Sequence, residues 1–206
     1  RGCGVRRIVL AGSFEAPDPG DAPTSPYAAA KAASHIYARL FHAVYGLPVV
    51  QARIFMTYGP GQPSTKLLPT ITREFLAGVA PRLVSPHRPV DWIYVDDVVD
   101  GLIALAEAPG VEGRVVDIGS GVLTTIGELA AVLQRLCGAT VSAQIDAGAA
   151  RGAERVAVAD LAVTRTLIGW QPRLDLDAGL DRWVAHCRQR EGRNDSSATN
   201  TDSRCP

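Results

Sequence analysis

The sequence has 206 residues, of which 47% are hydrophobic and 20% are charged, and its 21 Lys and Arg residues balance its 21 Asp and Glu residues. These values are typical of a globular protein that forms one domain, or one domain with a small additional lobe. The balanced charge provides no overall positive field, so neither nucleic acid nor an anionic membrane surface is expected as a partner.

Strands and helices are predicted to alternate along most of the chain. A β-branched run at 5–11 predicts a buried parallel strand, and the polar, proline-rich segment at 12–26 predicts a loop. A helix is expected from Pro26 to Tyr45, because proline is favoured in a first turn and Gly46 just after a last one. The remaining predicted elements are, in chain order, a strand at 49–55, a sharp turn at 58–63, a helix at 65–77, strands at 82–84 and 91–94, a helix at 96–108, a strand at 115–118, a helix at 125–137, a strand at 141–145, and helices at 160–168 and 177–188.

This order of elements predicts an α/β fold with a parallel sheet, because connecting helices place successive strands side by side in one direction. Too few strands precede the helix at Pro26 to complete such a sheet, so the first strand is expected to present an unpaired, apolar edge. From Glu191 onward the composition turns to Asn, Asp, Ser and Thr, which predicts a disordered tail.

The four cysteines, Cys3, Cys137, Cys187 and Cys205, are scattered and form no Cys-x-x-Cys pair. Their spacing predicts reduced thiols, without a zinc site or a disulfide framework. The apolar runs stay far below the roughly 18 residues that span a bilayer, and no signal-peptide pattern opens the sequence. We therefore expect a cytoplasmic protein that holds no metal ion and does not associate with a membrane.

Tyr27 and Lys31 form the most informative pair in the sequence. Residues four apart lie on one face of a helix, and this pair stands at the start of the predicted one. A free phenol has a pKa near 10 and is a poor base at neutral pH, but a positive charge about 4 Å away stabilises the phenolate by about 4 kcal/mol. The pair suits removal of a proton from a hydroxyl as hydride leaves for a nicotinamide, with Ser13 upstream placed to orient the transfer. Taken alone, the spacing is more typical of an exposed helical pair, and it is the neighbouring segments that favour the catalytic interpretation.

Further distinctive segments accompany this pair along the chain. They are LAGS at 10–13, SPYAAAK at 25–31, RIFMTYGPGQ at 53–62, DWIYVDDVV at 91–99, DIGSG at 117–121, Asp160, and IGWQP at 168–172. Through this set the chain resembles the extended short-chain dehydrogenase/reductase family, in particular its NAD-dependent nucleotide-sugar epimerases and dehydratases. The resemblance covers about residues 5–188.

The resemblance implies a partial Rossmann-like, doubly wound parallel sheet together with a small α/β substrate-binding lobe. Residues 1–58 would form the C-terminal part of a dinucleotide-binding Rossmann domain. Residues 59–190 would form mainly the substrate-binding lobe, with some elements that return to the Rossmann domain, and residues 191–206 would be the tail.

By the same resemblance, Ser13, Tyr27 and Lys31 match the catalytic serine, tyrosine and lysine of the family. Tyr27 and Lys31 would also contact the cofactor, Lys31 by holding the ribose hydroxyls next to the nicotinamide. Ile54 and Phe55 match positions where the backbone meets the nicotinamide end. The implied cofactor is NAD, and NADP stays open because the residue that selects between them belongs to a segment absent from the sequence.

The resemblance implies a nucleotide-linked sugar as substrate and assigns four residues to its binding. Met56 stands where the family usually has an asparagine that contacts the sugar nucleotide, and a thioether is only a weak acceptor. Lys66 is a candidate polar contact, and Arg151 matches an arginine that often meets the diphosphate. Arg88 is a candidate replacement for an arginine that the family usually carries at the position of Val90. A homodimer is implied by analogy, through the helix that carries the pair.

Glu15, two residues after Ser13, leaves the reaction type open. In dehydratases and decarboxylases that resemble this chain, a glutamate here takes the C5 proton after C4 has become a ketone. Phe14 occupies the position where one dehydratase subgroup has an acid, so that proton donor is missing. Glu15 is alternatively an ordinary loop residue, in which case oxidation and re-reduction at C4 give plain epimerisation.

A glycine-rich loop for the cofactor pyrophosphate is missing from the sequence, where the family carries one roughly a hundred residues before the tyrosine. Two hypotheses follow. The chain is either the C-terminal part of a nucleotide-sugar epimerase or dehydratase that needs its other half for activity, or a truncated, non-catalytic remnant. The remnant would bind a nucleotide sugar or a partner protein through its exposed edge.

Overall fold

The computed structural model describes residues 4–146 and 155–198 and shows a mixed α/β fold. Most strands pair in parallel, and six helices pack around them. The elements are, in chain order, β1 (Ile8–Ala11), α1 (Pro26–Tyr45), β2 (Val49–Ile54), β3 (Met56–Tyr58), α2 (Leu67–Leu76), β4 (Arg82–Leu83), β5 (Pro89–Tyr94), α3 (Val95–Glu107), β6 (Val115–Ile118), β7 (Leu123–Thr125), α4 (Ile126–Cys137), β8 (Gln144–Ile145), α5 (Leu161–Ile168) and α6 (Leu176–Ala198). The predicted α/β class with parallel strands is confirmed.

The first sheet has the order β1-β2-β6, and all three strands run in parallel. Ile8 lies opposite Val49, and Gln51 lies opposite Val115. The prediction that the first strand is parallel is confirmed, but the expectation that it is buried is wrong. Ile8 is 38% exposed, because β1 pairs with β2 on one side and, within the described residues, with no strand on the other.

The chain passes directly from the first sheet into a second one. Phe55 ends the contact with β6 by donating its N–H to the Ile118 carbonyl at 3.0 Å, and Met56 then lies opposite Trp92 in the parallel pair of β3 and β5. β5 also pairs with β7 in antiparallel orientation, and β4 pairs with β8 in parallel. Strands β3 and β7 were not predicted from the sequence, because three-residue strands that adjoin another strand or a helix leave no separate pattern.

Two clusters of buried apolar side chains support these sheets. One lies around the first sheet and is formed by Phe14, Val50, Ala52, Phe55, Ile93, Val98, Leu105, Ala108, Val111, Val116, Ile118, Ala159 and Trp170. The other joins the second sheet to α2, α4 and α6 and is formed by Tyr58, Leu68, Ile71, Phe75, Leu83, Val90, Trp92, Tyr94, Ile126, Leu129, Ala130, Leu133, Leu180, Trp183 and Val184. A domain boundary at residue 58 stays a prediction.

Helix α1 has the bounds that the sequence predicts. The Ser25 side chain accepts a hydrogen bond from the Ala28 N–H at 3.1 Å, Pro26 occupies the first turn, and Gly46 ends the helix in the left-handed conformation with φ 64°. Ala28 is the buried residue of this helix, and most of its other apolar side chains are exposed. The capping residues therefore determine where α1 begins and ends, while its packing leaves much apolar surface uncovered.

Helix α6 is longer than the sequence predicts. Its first half is anchored by buried Leu180, Trp183 and Val184, and the Trp183 indole N–H donates to the Thr72 hydroxyl at 2.8 Å. The expected end near Arg188 is wrong, since the helix continues to Ala198. A packed first half nucleates the helix, and each added residue then extends it by one backbone hydrogen bond. The rest of the expected tail, residues 199–206, lies outside the described residues.

Candidate active site

The start of α1 is tied to the carboxyl end of β1 through Lys31. The Lys31 ammonium donates a hydrogen bond to the Ala11 carbonyl at 2.8 Å and lies 5.6 Å from the centroid of the Tyr27 ring. Tyr27 itself is 50% exposed. In open α/β sheets, ligands bind at the carboxyl ends of parallel strands. The structure therefore presents an accessible phenol and a neighbouring cation at the sheet edge where a ligand is expected.

Ser13 follows β1 directly and is fixed by its own backbone. It is buried, its hydroxyl accepts a hydrogen bond from the Glu15 N–H at 3.2 Å, and its carbonyl accepts one from the Ala16 N–H at 3.2 Å. These bonds hold Ser13 and half-buried Glu15 in one tight turn. Within the described residues no hydrogen bond joins the side chains of Ser13 and Tyr27, although both lie beside the end of β1.

Phe14 and Phe55 form the floor of this turn. Their rings are stacked, with centroids 5.5 Å apart and planes inclined by 12°, and both side chains are buried. The carbonyl of Ile54 accepts a hydrogen bond from the Phe14 N–H at 3.1 Å, and that of Phe55 accepts one from the Thr57 hydroxyl at 3.2 Å. Each carbonyl keeps a second lone pair for a ligand. Ile54 and Phe55 thus lie at the carboxyl end of β2, next to the turn that carries Ser13.

The four predicted substrate-binding residues lie in different surroundings. Met56 is half-buried in β3 and packs against both apolar clusters, so its thioether fills space between them. Lys66 is exposed at the N-cap of α2 and makes no capping hydrogen bond with its side chain. Arg88 is half-buried in the loop before β5, and its carbonyl accepts the Ile126 N–H at 3.1 Å. Arg151 lies outside the described residues.

Tyr58, in contrast to Tyr27, is buried and cannot serve as a base near neutral pH. Its hydroxyl donates to the Leu176 carbonyl at 3.4 Å, and the side chain is 2% exposed. Burial, with smaller contributions from Tyr94 and Asp97, raises the pKa of Tyr58 well above its usual value. The exposed phenol of Tyr27 is therefore the better candidate for proton transfer.

Asp91 is a structural residue of the site whose role was not predicted from the sequence. Its Oδ1 accepts hydrogen bonds from the Ser120 N–H at 2.6 Å and the Ser120 hydroxyl at 2.7 Å. Its Oδ2 accepts bonds from the N–H groups of Gly121 and Ala159, each at 3.0 Å. Asp91 is 2% exposed, and a carboxylate is buried in this way only when its oxygens are hydrogen-bonded. It joins β5 to the turn after β6 and to the segment before α5.

Asp97, in the first turn of α3, has a similar role, whereas its neighbour Asp96 does not. Asp96 is exposed. Asp97 is buried, and its two oxygens accept the N–H groups of Arg173 at 3.0 Å and Leu174 at 3.1 Å. A charged residue inside an otherwise apolar run is the signal that could have identified both Asp91 and Asp97.

Neither a membrane-spanning helix nor a metal site occurs in the part of the chain that the structure describes. No helix there combines the length and apolarity needed to cross a bilayer. Within the same residues, no three His, Cys, Asp or Glu side chains are grouped closely enough to hold a metal ion.

Comparison with known proteins identifies the family. The pattern of the NAD dependent epimerase/dehydratase family matches residues 1–119. The chain is 35% identical over 168 residues to a dTDP-glucose 4,6-dehydratase of Actinoplanes sp., which covers 81% of this chain and 52% of that protein. It is 27% identical over 193 residues to a UDP-glucuronate 4-epimerase of Thermodesulfobacterium geofontis, covering 88% of this chain and 59% of that protein.

Solved structures show the same fold. A UDP-glucose 4-epimerase of Thermotoga maritima, solved with UDP-glucose, superposes with a TM-score of 0.78 at 25% identity, covering 91% of this chain and 65% of that one. A dTDP-glucose 4,6-dehydratase of Bacillus anthracis, solved in complex with NAD, gives a TM-score of 0.79 at 24% identity, covering 90% and 63%. The chain spans about half the length of the curated relatives it matches. With its Tyr27–Lys31 pair, its parallel sheet and the match over residues 1–119, the chain belongs to the NAD dependent epimerase/dehydratase family.

Proposed function

We propose that this chain carries the catalytic residues of an NAD-dependent epimerase or dehydratase, which acts on a nucleotide-linked sugar by transient oxidation at C4. The observation that carries the proposal is the hydrogen bond from Lys31 to the Ala11 carbonyl, which fixes a cation beside exposed Tyr27 at the end of β1. The family membership and the dTDP- and UDP-sugar enzymes among the relatives support it.

The described residues fit the nicotinamide end of NAD, and NADP stays an alternative. An ammonium, a phenol and the carbonyls of Ile54 and Phe55 lie at the carboxyl ends of two parallel strands, where such sheets bind ligands. NAD, when bound, would accept a hydride from the sugar. In this proposal Lys31 holds the cofactor ribose, and Tyr27 makes a weaker contact with the cofactor whose loss costs little binding. The proposed residue ranges are 1–58 for the cofactor domain and 59–190 for the substrate lobe.

Three residues would divide the proton transfer among them. Tyr27 acts as a phenolate and takes the proton of the C4 hydroxyl, and the Lys31 ammonium stabilises this charged form of Tyr27. Ser13 orients the sugar oxygen with a hydroxyl that has a lone pair and a proton available besides the bond from Glu15. Phe14 and Ala16, the neighbouring residues of the turn, carry no hydroxyl, and the Phe14 side chain is buried in an apolar cluster.

Glu15 would determine which reaction follows the oxidation. Half-buried beside Ser13, its carboxylate is proposed to take the proton at C5, which the C4 ketone acidifies, and to pass that proton to the departing hydroxyl, which leaves as water. If Glu15 does not reach C5, re-reduction at C4 gives epimerisation. Lys66, Arg88 and Arg151 are proposed contacts to the nucleotide and diphosphate, and Met56 is proposed to line the sugar site.

The proposal is tested by titrating the 206-residue chain with NADH and following nicotinamide fluorescence. Lys31→Ala is expected to weaken binding about tenfold or more, because it removes a charged hydrogen-bond donor from the ribose. Arg39→Ala, which removes an exposed cation from the same helix, is the matched control and should bind as the unaltered chain does. Equal binding by Lys31→Ala would contradict the assignment of Lys31.

A second candidate function is favoured by the uncovered edge of β1. A groove of about 580 Å3 between β1 and α1 is lined mainly by apolar residues, among them Ile8, Leu10, Tyr37 and Phe41. Such a surface suits a partner polypeptide that extends the sheet, as a non-catalytic remnant would require. If the unaltered chain shows no saturable NADH binding, this function is favoured over catalysis by the chain alone.

We also propose that two copies associate through the outer face of α1. Ile36, Leu40 and Val44 lie on one face of this helix and are 66%, 46% and 61% exposed. Sedimentation velocity should therefore give a mass near twice 21.8 kDa, and Leu40→Asp should shift it to the monomer. Val163→Asp, at an exposed valine of α5, should leave the mass unchanged. A monomer for the unaltered chain would contradict this interface.

A further inference from the structure

Arg53, on β2, lies between a buried carboxylate and an exposed one. Its Nε and Nη2 donate to the two oxygens of Asp117 at 2.6 and 2.8 Å, and its Nη1 lies 3.9 Å from Asp18 Oδ1. The Asp117 side chain is 6% exposed, whereas that of Asp18 is 58% exposed. The hydrogen bonds to Asp117 raise the pKa of Arg53, and the nearby charge of Asp18 acts in the same direction. Arg53 is thus a permanently charged group that buried Asp117 holds in place and that also faces Asp18.

Arg155 approaches the same aspartate from a distant part of the chain. Its Nη2 lies 2.5 Å from Asp18 Oδ2, and the Arg155 side chain is 21% exposed. The segment that follows Arg155 is fixed, since the Asp160 N–H donates to Asp117 Oδ2 at 3.0 Å. Asp18 therefore bridges two arginines, both of which belong to parts of the fold that are joined through Asp117.

Asp18 belongs to the loop that separates β1 from α1, defined here as the Ser13 loop (residues 12–25). The loop is held at its start by the Phe14 N–H bond to the Ile54 carbonyl and at its end by the Ser25 cap of α1. Its stretch 18–24 is exposed. Between the two ends, the ion pairs of Asp18 join this loop to the rest of the protein.

We propose that Asp18 is a positioning residue, whose carboxylate holds the Ser13 loop against Arg53 and Arg155 and so keeps Ser13 and Glu15 at the carboxyl end of β1. The proposal rests on the proposed function, because Ser13 and Glu15 matter to chemistry only if they face a substrate. It assigns no contact with substrate to Asp18. The bridge acts on the placement of the loop, and through Arg155 it makes that placement depend on the segment before α5.

The magnitude of the effect follows from the exposure of Asp18. Ion pairs at the surface contribute from almost nothing to about 1 kcal/mol, and salt screens them. Loss of Asp18 should therefore leave global stability nearly unchanged and should increase local opening of the Ser13 loop about two- to fivefold. The amides of Glu15 and Ala16 report this opening directly, because both donate to Ser13.

The experiment measures amide hydrogen exchange by NMR on the 206-residue chain without cofactor, so its outcome does not depend on turnover or on NADH binding. Asp18→Asn and Arg155→Gln should each speed exchange at Glu15 and Ala16, and the double variant should exchange no faster than Asp18→Asn alone. Asp18→Glu, which keeps the charge, should restore most of the protection. Amides of β2 and β6 should exchange as in the unaltered chain.

Asp21→Asn provides the matched control, because it removes a charge from the same exposed stretch without touching either ion pair. Exchange at Glu15 and Ala16 that is unchanged in Asp18→Asn, or that rises equally in Asp21→Asn, would overturn the proposal. So would a failure of Asp18→Glu to restore protection. In 1 M NaCl the unaltered chain should approach the exchange rates of Asp18→Asn, which themselves should change little.

Discussion

Tyr27→Phe is expected to lower turnover by about a hundred- to ten-thousandfold while cofactor binding stays nearly unchanged. The substitution removes only the hydroxyl oxygen, so under the proposed function the C4 hydroxyl of the sugar would lose its proton acceptor. The ring, which lies 5.6 Å from the Lys31 ammonium, is kept. Turnover is to be measured in the catalytically active form of the protein, whether the 206-residue chain alone or the chain joined to a glycine-rich cofactor segment.

Tyr45→Phe is the matched control for this experiment. Tyr45 is the last residue of the same helix, is 52% exposed and contacts Phe41 through its ring. Its hydroxyl is removed by the same change, yet turnover should stay within about twofold, because surface substitutions away from a site have small effects. If Tyr27→Phe turned over as fast as Tyr45→Phe, the role of Tyr27 as base would be wrong and the chemistry would have to be assigned elsewhere.

The two measurements on α1 separate binding from chemistry. Lys31→Ala tests the cofactor site through NADH fluorescence, and Tyr27→Phe tests proton transfer through turnover at unchanged binding. A loss of binding in both variants would indicate that the start of α1 has shifted, which the Ser25 cap and Pro26 argue against. A loss of binding confined to Lys31→Ala, together with a loss of turnover in Tyr27→Phe at saturating cofactor, would support the separate roles proposed here.

The features that could be predicted from the sequence are those determined within a few residues. The bounds of α1 follow from Pro26 and Gly46, and the capping box of α4 follows from Thr125 and Glu128, whose reciprocal hydrogen bonds the structure contains. The relation between Tyr27 and Lys31 likewise depends only on helical spacing. Local rules of this kind need no knowledge of the rest of the fold.

Features that depend on distant residues could not be predicted in this way. The passage from β2 into β3 requires Ile118 and Trp92 as partners, more than 30 residues away in the sequence for each contact. The role of Met56 between the two apolar clusters and the bridge from Asp18 to Arg155 also join parts of the chain that only the fold brings together. The segment that includes Arg151 lies outside the described residues, so its assignment stays a prediction.

Asp91→Asn is expected to lower the free energy of unfolding by about 2–4 kcal/mol, measured by urea denaturation. Each carboxylate oxygen of Asp91 accepts two hydrogen bonds, from Ser120 at Oδ1 and from Gly121 and Ala159 at Oδ2. An amide group must turn its NH2 towards one of these pairs of donors, whichever way it is oriented. At least one backbone N–H then loses its acceptor and meets another donor.

Asp96→Asn makes the same chemical change at an exposed aspartate five residues away and should alter the free energy of unfolding by less than about 0.5 kcal/mol. A decrease in the free energy of unfolding below about 1 kcal/mol in Asp91→Asn would show that Asp91 does not hold β5, the turn after β6 and the segment before α5 together. Because the Ala159 N–H is one of its donors, Asp91 also fixes the segment that begins with Arg155. Loss of this bond should loosen the segment that carries Arg155, and Arg155 would then no longer hold Asp18 in place. The exchange of the Glu15 and Ala16 amides should therefore rise in Asp91→Asn as well.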